Sequence, residues 1–163
     1  LGSPVKAVGI IAISLWIAAI LDHGVSQRIA IFGATPNFLL IIPLVVGLTA
    51  QNPAAVWTGF FAGVTQACLI GANLTQFVMS RIVGSFVTAR LGALDVEIGV
   101  VLAGIFVGFG SLLSDAVLMF LAPPRSIPDY LRDTITSGLY NAVLALPIYA
   151  VLRPFLSRKE TVG

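Results

Sequence analysis

The chain has 163 residues, of which nine are Lys or Arg and seven Asp or Glu, and its formal net charge is +2. Charged residues make up 10% and hydrophobic ones 58%, against about 25% and 45–50% in soluble domains, and the mean hydropathy is +1.02. These values exclude a water-soluble core with a solvated surface, leave no room for a separate soluble domain, and give no basic excess suited to nucleic acid.

A membrane-spanning helix needs about 20 largely apolar residues, with a range of about 17–25, and the apolar runs supply six candidates. Val5–Leu21 comes first, with Trp16 as an interfacial anchor. It runs into Asp22-His23-Gly24 rather than a small-residue cleavage site, so it reads as a retained anchor. Asn37–Ala50 is short and contains Pro43, which removes a backbone donor and kinks a helix. The expectation there is a broken or tilted span that draws in residues from Ile29–Phe32. Ala54–Ile70 is third, opened by the helix-start signal Asn52-Pro53. Leu74–Leu91 is fourth and carries Arg81 in its first half. Ile98–Leu121 is fifth. Thr134–Phe155 is sixth, with a kink expected at Pro147 and the longest gap, Ala122–Asp133, before it.

The runs are continuous rather than alternating, which argues against a transmembrane β-barrel. In lipid every backbone amide must be paired internally, which favours helices. The expected fold is therefore all-α: one polytopic membrane helix bundle with six spans, or five if the second or fourth is re-entrant. Six spans place both termini on one side, with Lys6, Arg90, Arg153, Arg158 and Lys159, against Arg28, Arg81, Arg125 and Arg132 opposite. The basic cluster after the last span favours cytoplasmic termini by the positive-inside rule.

Lipid gives apolar faces no reason to associate, so small residues that let backbones approach are informative. The third span contains Gly59-Phe60-Phe61-Ala62-Gly63 and the fifth Gly104-Ile105-Phe106-Val107-Gly108, both Gly-x-Phe-x-Gly. The fourth places Ser80, Gly84, Thr88 and Gly92 at every fourth position, a continuous small stripe on one face. Such faces serve either close packing within the bundle or docking of a partner helix.

Few residues remain for chemistry. Asp115, beside Ser111 and Ser114, would cost at least about 2.5–3.5 kcal/mol in mid-membrane, so it should face the interior or water. Arg81, Arg125 and the Asn141 amide are its candidate partners. Asp115 reads either as a proton or cation site or as one structural ion pair or capped carboxylate, and the second is favoured because a proton relay shows several ionisable groups in register. Gln66, with Thr65 and Cys68 nearby, either lines a cavity or hydrogen-bonds across helices, a contact worth roughly 0.6 kcal/mol. His23 reads as a solvated interfacial residue. One histidine and one cysteine in separate spans provide no nucleophilic triad, no metal cluster and no disulfide. No phosphate-binding Gly-Lys motif occurs either. The expectation is a protein that is not an enzyme and carries no cofactor.

The stretch Ala34-Thr35-Pro36-Asn37-Phe38-Leu39-Leu40, the short span with its proline, Asn52-Pro53, Gly59-Phe60-Phe61-Ala62-Gly63-Val64 and Gly71 resembles the MreD family of bacterial rod shape-determining membrane proteins. That family shows a proline followed by an aliphatic run, a Gly-Phe-x-x-Gly-Leu helix and a glycine-containing loop. Motifs carry the resemblance over about a quarter of the chain, and architecture carries the rest. Here Val64 replaces the leucine, and Gln66-Ala67 stands where the family commonly has an aspartate, so a polar side chain is kept without its charge. The resemblance implies a non-enzymatic scaffold in the bacterial inner membrane, within the elongation complex that directs peptidoglycan synthesis. The implied partners are an MreC-like periplasmic protein with a single span, an MreB-like filament, and a RodA-like glycosyltransferase with its transpeptidase. MreD-like proteins are similar in fold to substrate-capturing subunits of energy-coupling-factor vitamin or metal transporters, which supply the alternative function. A captured ligand would call on Gln66, Asn73, Asp115 and Tyr140. A proton-coupled carrier would rest on Asp115 alone.

Overall fold

The computed structural model describes residues 4–31, 33–50, 52–94 and 97–156. Six helices follow in order: α1 (Pro4–Gly24), α2 (Phe38–Thr49), α3 (Asn52–Ile70), α4 (Leu74–Gly92), α5 (Val100–Leu121) and α6 (Ile127–Leu156). No strand forms among the described residues; Ile31 and Ala34 make one isolated bridge around Gly33, whose φ of 84° suits a residue without a Cβ. Four helices are long and apolar enough to cross a membrane: α1, α3, α5 and α6. The all-helical character expected from the sequence is thus present among the described residues, with four candidate spans, compatible with a multi-pass membrane protein, and two further helices rather than six equivalent spans.

The two exceptions differ in how they are buried. Helix α2 has 12 residues, about 18 Å at 1.5 Å per residue, well short of a hydrocarbon core of about 30 Å. It is buried from Phe38 to Leu48 and packs on α1, α3, α4, α5 and α6. Pro43 lies inside it without ending it. Ile29–Ile31 do not extend it, and Phe32 lies outside the described residues. The helix start is fixed instead by Asn37, whose side chain accepts from the Leu40 amide at 2.9 Å. Helix α4 packs against α2, α3 and α5 and buries Ser80, Arg81, Gly84, Ser85, Thr88 and Ala89. It buries a polar seam, while Met79 and Phe86 are exposed.

The long loop expected before the last span is mostly helix. Helix α6 begins at Ile127, with Pro128 in its first turn and Ser126 donating to Asp129 at 2.6 Å just ahead of it. Polar residues there extend the helix rather than break it, because a proline in the first turn costs no hydrogen bond. Pro147 and Pro154 both lie inside α6. Arg158 and Lys159 of the basic cluster lie outside the described residues.

The small residues singled out in the sequence all lie between helices of this chain. A Cβ on Gly59 would come within 2.7 Å of the Arg81 carbonyl oxygen, and one on Gly63 within 2.6 Å of the Val78 Cα, so these two glycines seat α3 on α4. Gly84 faces Ser114 and the Gly110 carbonyl of α5, while a Cβ on Gly92 would stand 2.8 Å from the Leu48 Cα of α2. Gly104 and Gly108 approach Leu146 and Ala142 of α6. Ser80 Oγ donates to the Ser114 carbonyl at 2.7 Å and Ser114 Oγ returns a bond to the Ser80 carbonyl at 3.1 Å, a reciprocal clasp between α4 and α5. Thr88 bonds back to the Gly84 and Ser85 carbonyls of its own helix. These faces are filled from within the bundle.

Candidate functional site

Because α2 is short, it starts inside the bundle, and the free amides of its N-terminus need acceptors there. The chain supplies acceptors from elsewhere. Asp22, at the end of α1, accepts from the Phe38 amide at 2.7 Å through one oxygen and from the Leu39 amide at 2.9 Å through the other. Ser26 donates to Asp22 at 3.1 Å. Asn141 of α6 accepts from the Asn37 amide at 3.0 Å and donates to Ser111 Oγ of α5 at 2.9 Å. One carboxylate and one amide thereby tie α1, α2, α5 and α6 together at a single helix start. A negative charge at that position also complements the positive end of the helix dipole.

Beside this cap lies a second polar group. Arg81 is 1% exposed and donates through Nε to Gln66 Oε1 at 2.9 Å and through one terminal nitrogen to Ser80 Oγ at 3.0 Å. The same terminal nitrogen is 3.7 Å from Asp115 Oδ1. That is an ion pair beyond hydrogen-bond length. Arg81 also lies over the Phe77 ring, 5.6 Å from its centre, a contact that favours a partly desolvated guanidinium. Every buried side-chain nitrogen and oxygen among the described residues has a hydrogen-bond partner.

Between the two groups is a cavity of about 390 Å³, within the usual range for small-ligand sites. Asp22, His23, Asn37, Gln66, Asp115 and Asn141 reach its wall, with Leu39, Leu69 and Ile70 as apolar lining. It occupies the space above the α2 N-terminus, at the bundle end where α1, α3 and α5 finish. Irregular backbone at membrane depth is tolerated where it lines such a cavity.

The structure brings together three residues singled out in the sequence: Gln66, Asp115 and Asn141. Of the partners considered for Asp115, Arg81 makes the pair; Asn141 instead serves Asn37 and Ser111. Gln66 both lines the cavity and bonds across helices. Asn73 and Tyr140 do not line it. Asn73 caps α4 by accepting from Thr75, and Tyr140 donates to the Ile29 carbonyl at 2.7 Å. Cys68 is exposed on α3, away from these groups. Sequence reasoning missed Asp22, Ser26, Asn37 and Ser137. A usable signal was present: Pro36-Asn37 opens an apolar run as a cap should, and so short a run needs a buried acceptor, for which Asp22 is the nearest carboxylate in sequence.

No metal-binding cluster of His, Cys, Asp or Glu occurs among the described residues. No protein-family model, curated protein or solved structure matches the chain.

Proposed function

We propose that the chain is an MreD-like membrane scaffold of the bacterial cell-elongation complex, acting by helix docking and not by catalysis. The observation that carries this reading is where the resembling residues fall. Pro36-Asn37 starts α2, the helix buried on all sides, and Gly59 and Gly63 seat α3 on α4. The motif residues build the frame of the bundle rather than a reaction centre. The fully buried polar side-chain atoms among the described residues all have hydrogen-bond partners, several of them across helices. With the small-residue faces filled internally, docking of an MreC-like span falls to the lipid-facing surface. Helix α1 offers the most of it, since 6% of its span is buried and Val8, Ile13, Trp16 and Ile17 are exposed.

The test is co-purification with an MreC-like single-span protein from a bacterial membrane. Ile13→Trp with Ile17→Trp should weaken the complex while the chain's own thermal stability stays unchanged. A complex that never forms with the unaltered chain, together with normal rod shape when its gene is deleted, would sink the reading.

One observation favours a second reading, a substrate-capturing transporter subunit: the polar cavity at one end of the bundle. Co-purification with an ATPase and a coupling membrane subunit, in place of an MreC-like protein, would select it.

A further inference from the structure

The polar cavity has an apolar counterpart deeper along the same helices. A groove of about 290 Å³ runs between α1, α2 and α6, with Ile17, Ala18, Ile42, Ile148 and Val151 among its walls. The lining passes from one space to the other at adjacent residues: Leu21 faces the groove and Asp22 the cavity, Phe38 the groove and Asn37 the cavity. On α6 the step from Asn141 to Ile148 is about two turns, roughly 10 Å of rise. Polar space at the helix ends thus sits above an apolar groove that opens on the outer face of α1 and α6.

The chemistry of the cavity selects a charge. Asp22 and Asp115 both reach its wall, whereas Arg81, the guanidinium that faces them, is buried behind it. Asp22 is satisfied by two amides and Ser26. Asp115 accepts no hydrogen bond among the described residues, its nearest cation stands at 3.7 Å, and its side chain is 16% exposed. Asp115 is also among the residues that line the cavity. A carboxylate so placed gains most from a charged donor.

We propose that the cavity binds an ammonium group through Asp115, and that the groove beneath accepts the aliphatic part of a ligand that has one. A free small amine and the headgroup of an amine-bearing phospholipid present the same ammonium chemistry. The apolar groove further along α1, α2 and α6 suits the lipid. This assignment rests on the cavity and not on the scaffold reading, and its test does not involve the MreC-like partner.

Thermal unfolding of the whole chain tests it in two formats: in detergent with added ethanolamine, and in nanodiscs of phosphatidylcholine with or without phosphatidylethanolamine. The expected result is a saturable rise in Tm of several degrees in at least one format. A response to ethanolamine assigns the free amine, and a response confined to phosphatidylethanolamine assigns the lipid. Ser137→Phe and Thr35→Leu narrow the cavity from two different walls and leave the Arg81–Asp115 pair intact. Whichever variant keeps the parent Tm without ligand should lose the rise. No rise in either format, or a rise that persists in such a variant, overturns the proposal.

Discussion

Helices α1 and α4 invert the arrangement familiar from water-soluble proteins. Helix α1 is apolar on every side, yet 6% of its span is buried, and residues such as Val5, Val8 and Trp16 stand exposed. Helix α4 is more polar, and its polar residues Ser80, Arg81, Ser85 and Thr88 are what it hides. In lipid an apolar side chain gains nothing by turning inward, whereas a polar one must find a partner. The polar pattern, rather than the apolar one, therefore says which face of a helix is the inside.

Arg81→Leu should have the largest effect. If α4 were a lipid-facing helix, the added apolar residue would help it. Here it removes the guanidinium that Gln66, Ser80 and Asp115 face. Breaking a buried pair costs about 3–5 kcal/mol, and the expected outcome is loss of monodisperse protein in size-exclusion chromatography after extraction.

Next is the same substitution made on both sides of the comparison. Gly63→Leu drives a side chain into the α4 backbone at Val78, while a Cβ on Gly9 of α1 meets nothing within 4 Å. Overpacking costs about 1–3 kcal/mol. Thermal unfolding in detergent should show a clear fall for Gly63→Leu and no change for Gly9→Leu; equal effects would break the contrast.

Asn141→Leu should be smaller again. It leaves the Asn37 amide without its acceptor and Ser111 without its donor. An unsatisfied buried group costs about 1–3 kcal/mol, and the nearby cavity, by admitting water, holds the loss to the low end. Amide hydrogen exchange at the start of α2 should quicken before global stability changes much. Ile13→Val on α1, with nothing buried to disturb, should stay within about 0.5 kcal/mol of the parent chain.

Much of the fold was legible because the apolar runs are long and their ends carry caps. The helices at Leu74 and Val100 begin within two residues of the runs read from sequence, and α3 starts on Asn52 at the Asn52-Pro53 signal. The start of α6 was misread because Tyr130, Arg132 and Asp133 look like loop to a hydropathy count, although nothing in them breaks a helix. The polar cluster was half legible. Asp115 and Gln66 stood out as polar residues inside apolar runs. Asp22 did not, because a carboxylate at a helix end normally needs no explanation.

The sequence by itself pointed to a helical chain suited to lipid, since long continuous apolar runs favour helices, which pair their backbone amides internally. It also marked the positions where helices come close, because glycine and serine at fourth-residue spacing have few other uses in a membrane. Only the tertiary structure decided that those faces meet one another, and that α2 stops short within the bundle. That brevity brings Asp22, Asn37 and Asn141 to one point and leaves polar space above them beside Asp115. The reason is physical: where a buried helix start must find its acceptors depends on which helices surround it, and no local pattern records its neighbours.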